Sequence, residues 1–181
     1  MHCYFKRMKA TGTCPPRKAL SKIFWSWVGA FLGIYLIALL EKFTASIGII
    51  HILLIGSFGA SAVLVYGTPM ADFSQPRNLV GGHTVSAMIG IAVFTLVKEP
   101  ALASATAVSL AVIAMHFTRT LHPPGGATAL IAVIGGDQVH SLGYIYVFCP
   151  VLTGALMMLL VALLVNNLSA NPKRQYPVYW L

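Results

Sequence analysis

Six apolar runs, each closed by a polar or helix-breaking stretch, commit this 181-residue chain to a bundle of membrane helices. The runs cover residues 23–40, 47–66, 79–97, 101–117, 125–136 and 142–165. They end at Glu41-Lys42, Gly67-Thr68-Pro69, Lys98-Glu99-Pro100, Thr118-Arg119, Asp137 and Asn166-Asn167. A helix needs about 20 apolar residues to cross the hydrocarbon layer, with a range near 17–25, and five of the runs meet that requirement. Residues 125–136 make only about 18 Å of helix. They either cross where the layer is thin or turn back as a half-helix. Charged residues are 9% of the chain, against about 25% in a soluble domain. The expected fold is all-α, a polytopic bundle of about six transmembrane segments, one of them short. A basic tail at 1–22 precedes a transmembrane domain at 23–166, and a second tail follows at 167–181.

The distribution of positive charge sets the expected orientation. The net charge is +8, but it is concentrated next to the first run, in Lys6, Arg7, Lys9, Arg17, Lys18 and Lys22. Such a cluster predicts contact with acidic lipid headgroups. No groove-reading module accompanies it, which argues against nucleic acid as a partner. With six crossings, Arg77, Arg119, Lys173 and Arg174 fall on the same side as that tail, and only Lys42 and Lys98 lie opposite. The positive-inside rule then puts both termini in the cytoplasm, and the expected location is the cell (inner) membrane. A re-entrant 125–136 segment would move Lys173 and Arg174 outside and weaken the bias. Trp25 and Trp27 near one terminus, and Tyr176, Tyr179 and Trp180 near the other, suit an interfacial belt. Cys3, Cys14 and Cys149 have neither metal-site spacing nor a paired framework. No cleavable leader is expected, because the first run is nearly a full span without a small-residue cleavage site.

Function is expected where the membrane pattern breaks, at Leu121-His122-Pro123-Pro124-Gly125-Gly126. Two prolines break a helix interior and two glycines relieve crowding. Broken, polar backbone with an ionisable side chain is costly near lipid unless it lines a cavity or is packed in protein. A second copy lies 44 residues upstream: Phe73-Ser74 falls on Phe117-Thr118, Gly81-Gly82 on Gly125-Gly126, Thr84 on Thr128 and Asn78 on His122. The even offset in segments makes this a parallel repeat. Each copy has a basic residue before its glycines, Arg77 in one and Arg119 with His122 in the other. If each glycine pair opens a helix, two amide-rich helix starts would attract an anion. The structural alternative is that the glycines simply allow close packing.

The candidate substrate-binding residues are therefore Arg77, Asn78, Gly82, His83, Thr84, Arg119, His122, Gly125, Gly126 and Thr128. The arginines would bind an anion in bidentate fashion or act only as topology charges. Asn78 would donate to the anion or cap a helix. His83 and His122 would bind substrate, carry a proton or bond a neighbouring helix. Thr84 and Thr128 would orient an anion or bond an upstream carbonyl. Pro123 and Pro124 break the helix and set its direction. His51 and His116 read as packing contacts. Ser57 and Ser61 lie in a small-residue stretch that permits close helix approach or a substrate path along that face. Gly29 and Gly33 form a Gly-x-x-x-Gly pattern that hints at helix association or a homo-oligomer.

His122-Pro123-Pro124-Gly125-Gly126-Ala127-Thr128-Ala129-Leu130 resembles the signature of the HPP family of integral membrane proteins, named for its His-Pro-Pro. The stretches Gly56-Ser57-Phe58-Gly59-Ala60-Ser61-Ala62-Val63-Leu64 and Gln75-Pro76-Arg77-Asn78, with Gly82-His83, are also similar to that family. The resemblance spans about residues 23–165. It implies a membrane protein, described in the family as four-helical, with a transport role. Chloroplast and cyanobacterial members are associated with nitrite, and some members carry soluble regulatory domains, for which no room is expected here.

Other chemistries lack their residues. Glu41, Asp72, Glu99 and Asp137 are the only acidic residues and all lie at segment ends, so metal ligation and divalent-cation transport are disfavoured. No phosphate-binding Gly-rich loop is present. No catalytic constellation suggests an enzyme, and no cofactor is expected. The leading expectation is a transporter or channel for a small inorganic anion, nitrite foremost, driven by the anion gradient or by co-transported protons. The rivals are a non-transporting membrane scaffold or subunit and a neutral-solute transporter.

Overall fold

A computed structural model describes residues 4, 7–10, 12–48 and 52–181. Cys3, Lys6, His51 and the Lys173 side chain lie outside the described residues. Among the described residues the chain is helical without strands. Its helices are α1 (Leu20–Ser46), α2 (Gly56–Gly67), α3 (Pro76–Leu96), α4 (Pro100–Phe117), α5 (Pro123–Ile134), α6 (Gly136–His140) and α7 (Thr153–Leu168). Four spans are long and apolar enough to cross a membrane: α1, α3, α4 and the stretch Val147–Leu168 that contains α7. The helices α2 and α5 are apolar but have only 12 residues each. Four long spans and two short ones reconcile the four-helix description with six apolar runs.

The sequence reading took residues 47–66 as a full crossing, and the structure corrects it. Gly48 has φ +72°, and residues 52–55 are non-helical, with Ile55 extended just before α2. The Glu41 carboxylate holds that extension, accepting the Leu53 and Leu54 amides at 2.6 and 2.7 Å. Leu53 and Leu54 therefore spend their backbone donors on a side chain and not on a helix. The last run is also less regular than expected, with non-helical backbone at Cys149 just before Pro150.

Proline opens α3, α4 and α5 at the first turn, where a missing amide costs nothing. Glu99 caps α4, accepting from the Ala101 and Leu102 amides at 2.9 and 2.5 Å. Helix α1 buries a single line, Gly29, Gly33 and Ile37, at the i, i+4 spacing of one helix face. Tyr66 seats against both glycines: a Cβ on Gly29 would lie 2.7 Å from its ring, and one on Gly33 would meet its hydroxyl. The Gly-x-x-x-Gly pattern thus packs two helices of the same chain.

The short α5 crosses the bundle. One end gathers Lys22, Tyr66, Asn166 and Arg174, joined by Arg174 hydrogen bonds. The same end holds the Arg77 to Thr118 carbonyl bond at 3.1 Å and the Tyr176 hydroxyl on the Ser74 carbonyl at 2.8 Å. At the opposite end Val133, near the close of α5, lines a hollow with Phe94, Lys98 and Pro100. His140 stacks on Phe94 there and reaches the Val133 carbonyl at 3.0 Å. Six traverses therefore bring the chain back to its starting end, with Lys22, Arg77, Arg119 and Arg174 together. Residues 167–181 fold over that end, where the Val178 amide donates to Gln75 Oε1 at 2.8 Å.

Candidate functional site

The two short helices enclose a polar cluster inside the apolar bundle. Ser57 and Ser61 project from one face of α2, one turn apart. His83 lies two turns into α3, His122 caps the start of α5, and Thr128 lies in the second turn of α5. His83, His122, Ser61 and Thr128 are all wholly buried. Ser61 Oγ stands 2.7 Å from His83 Nε2 and 2.8 Å from His122 Nε2. His83 Nδ1 is 2.7 Å from Thr128 Oγ1, which is 2.9 Å from Ser57 Oγ. His122 Nδ1 is 2.6 Å from the Phe73 carbonyl. Phe58 approaches the His83 ring edge-on at 5.3 Å.

The Phe73 carbonyl can only accept, and that fixes every tautomer in the chain of bonds. His122 Nδ1–H donates to it, so a neutral His122 leaves Nε2 to accept from the Ser61 hydroxyl. With both rings neutral, Ser61 Oγ then accepts from His83 Nε2–H, and His83 Nδ1 accepts the Thr128 hydroxyl proton, which is then not donated to Ser57 Oγ. One added proton fits without moving a heavy atom: His83 Nδ1 becomes a donor and the Thr128 hydroxyl turns to Ser57 Oγ. The cluster has the bonding capacity of a single-proton store.

Close backbone approach makes this cluster possible. A Cβ on Gly82 would lie 2.5 Å from the His122 Cβ and 2.7 Å from the Thr120 carbonyl. One on Gly125 would meet Ser86 Oγ at 2.8 Å and the Gly82 carbonyl at 2.9 Å. Both expected helix starts change as a result. Gly81-Gly82 lies in the second turn of α3, not at its opening, so its amides are already within the helix ladder. At α5, Pro123 and Pro124 carry no amide, and the Gly125 amide donates to the His122 carbonyl at 2.7 Å. Gly81, Gly82 and Gly125 allow close packing, and the prolines deny the start of α5 the amide donors an anion would need.

The arginines do converge. Arg77 and Arg119 line one hollow of about 390 Å³ with Asp72, Tyr179 and Leu181. Arg77 also donates to the Thr118 carbonyl, while no hydrogen-bond partner of the Arg119 guanidinium is found among the described residues. Arg119 has φ +58°, a left-handed conformation that usually selects glycine. Its amide donates to the His116 carbonyl at 3.1 Å and the Thr120 amide to the Met115 carbonyl at 2.8 Å, closing α4 with a Schellman motif. The hollow adjoins the cluster along the chain: Asp72 precedes Phe73, and Arg119 is three residues before His122.

The remaining candidates divide. Asn78 Nδ2 donates to the Leu121 carbonyl at 2.8 Å, and its buried Oδ1 has no partner among the described residues. Thr84 bonds the Val80 carbonyl of its own helix at 2.8 Å, outside the cluster. A Cβ on Gly126 would find its nearest neighbour at 3.8 Å. His116 is exposed. Ser61, the hub, is marked in the sequence only as a place for close helix approach or a substrate path. Its signal was the four-residue spacing from Ser57 on an otherwise apolar helix. Arg174 is marked in the sequence only as one of the topology charges, and it is 2% exposed.

The family model for the HPP transmembrane region matches residues 15–177. The chain belongs to the HPP family. It is also similar to two proteins of Dictyostelium discoideum, each described as a transmembrane protein. One is 48% identical over 181 residues, covering 98% of this chain and 57% of the relative. The other is 46% identical over 183 residues, covering 98% of this chain and 63% of the relative. The chain thus spans about three fifths of the length of these HPP relatives. No solved structure matches it. Multi-pass membrane insertion follows from the family together with its four long apolar spans.

Proposed function

We propose that this HPP chain moves a small inorganic anion across a cell (inner) membrane, with nitrite as the first substrate to test. Both termini and the Arg77–Arg119 hollow would face the cytoplasm, where the positive-inside rule puts the end richer in Lys and Arg. The observation that carries the reading is the convergence of two guanidiniums, one from the first turn of α3 and one from the turn after α4, on one hollow beside a buried polar cluster. Arginine at a concave, net-positive site suits a planar oxyanion, which it binds through a fork of donors.

The inner cluster supplies the coupling. A proton entering the Ser61–His83–His122 network would offset the charge of an anion passing beside it. Ser61 between two imidazoles also has the contacts of an activated nucleophile. Its complete burial favours the transport reading, as do the ring partners among the described residues, a hydroxyl and a backbone carbonyl where a triad would have a carboxylate. The test is flux in liposomes containing the purified chain, comparing nitrite, nitrate, formate and chloride. Nitrite uptake above empty vesicles, accelerated by an inward proton gradient, is expected. Absence of flux for every anion would return the chain to the scaffold reading, and flux of an uncharged solute alone would return it to the neutral-solute reading.

A further inference from the structure

A second basic hollow lies at the same end of the bundle, away from the histidine cluster. It has a volume of about 360 Å³ and is lined by Lys18, Lys22, Arg174 and the turn from Gly67 to Ala71. Three of its lining side chains are cationic and none is acidic. Arg174 ties the hollow to the core. Its Nη1 donates to the Lys22 carbonyl and Ser26 Oγ, both at 3.1 Å, and its Nη2 to the Tyr66 carbonyl and Asn166 Oδ1, both at 2.8 Å. Every acceptor is neutral. The buried Nε has no partner, and no carboxylate pairs with the guanidinium among the described residues. Burial of a full charge without a counter-charge is expensive, and an anion in the adjoining hollow would supply one.

We propose that this hollow binds a phosphate group, held by Lys18 and Lys22 and balanced by the fixed charge of Arg174. Position argues for a phosphate at the membrane surface. Lys22 lies in the first turn of α1, and Phe24 and Trp27 of the same helix are exposed on the bundle surface just beyond it. A lipid packed beside the first turns of α1 would place its headgroup at the level of the lysines. The geometry suits an acidic headgroup with a terminal or singly esterified phosphate, whereas a choline headgroup would bring its own cation among three others. The site is independent of the transport reading.

Native mass spectrometry and thermal melting of the purified chain in detergent test this, with dioleoyl phosphatidic acid, dioleoyl phosphatidylcholine or sodium phosphate added. Retention of phosphatidic acid over phosphatidylcholine by at least tenfold, with a raised melting temperature, is expected. The double variant Lys18→Gln/Lys22→Gln leaves Arg174 and its hydrogen bonds in place. It should melt like the parent without lipid and lose at least tenfold in retention. Equal stabilisation by sodium phosphate, also lost in the double variant, supports the phosphate site with a soluble ligand. Retention or stabilisation that the double variant leaves unchanged, or no response to either phosphate source, overturns the proposal.

Discussion

His83 and His122 are joined through one hydroxyl, that of Ser61, which lies 2.7 and 2.8 Å from their Nε2 atoms. Both rings are wholly buried, so neither nitrogen has water to turn to. Ser61→Ala removes a donor for one ring and an acceptor for the other. A buried polar group left unpaired costs about 1–3 kcal/mol, and a loss of that size is expected in denaturant or thermal unfolding. A Ser61→Ala chain as stable as the parent would show that the two rings do not depend on this hydroxyl.

The contact between α3 and α5 separates two glycines that look alike in the sequence. Gly82→Ala would push a methyl into the His122 Cβ and the Thr120 carbonyl, whereas Gly126→Ala would meet its nearest neighbour at ordinary contact distance. Overpacking costs about 1–3 kcal/mol. Gly82→Ala should lower stability by that amount and displace His122, and Gly126→Ala should stay within about 0.5 kcal/mol. Equal effects of the two substitutions in parallel melts would contradict the close approach at Gly82.

These residues also show what was readable from sequence and what was not. Hydropathy and charge located the apolar runs and the shared basic end, because both depend on composition within a window. They missed the start of the second helix, because the Glu41 carboxylate captures the Leu53 and Leu54 amides from across a turn. The Gly-Gly pairs stood out, but their role is decided by the neighbour each one faces. Ser61 had no distinctive neighbours in the sequence. It becomes the hub only when residues 22 and 61 positions further along fold onto it.

The α4 cap gives a pH dependence. The amides of Leu102 and Ala101 hold the Glu99 carboxyl below its ordinary range. A depressed carboxyl contributes stability that is fully present above its unfolded-state value and is lost as the pH falls through its folded value. A small stability gap between parent and Glu99→Ala is therefore expected at neutral pH, closing in acid. Melting temperatures of both chains across the acidic range would show it, and a gap constant with pH would mean the carboxylate is not the cap.

The topology can be read chemically. Gln138 is exposed beyond α5, and Met70 is exposed at the basic end. In a chain with Cys3, Cys14 and Cys149 replaced by serine, a membrane-impermeant thiol reagent applied outside intact cells should label Gln138→Cys and leave Met70→Cys unlabelled. Labelling of Met70→Cys alone would invert the proposed orientation. Labelling of both from one side would contradict a crossing by α5.

Arg119 separates stability from function more directly than any residue of the cluster. Its backbone occupies the left-handed position of the Schellman motif that ends α4. A side chain there costs roughly 1–2 kcal/mol, part of which glycine returns through its greater freedom in the unfolded chain. Arg119→Gly should therefore raise stability by up to about 1 kcal/mol. It should also remove one of the two guanidiniums from the hollow and lower anion flux at least tenfold, about 1.4 kcal/mol of binding or barrier. Arg119→Lys keeps the charge and the backbone strain but loses the planar fork, so it should give intermediate flux at parental stability. A stabilised Arg119→Gly chain with parental flux would show that the left-handed arginine serves only to end the helix, and would remove the main support for an anion site in that hollow.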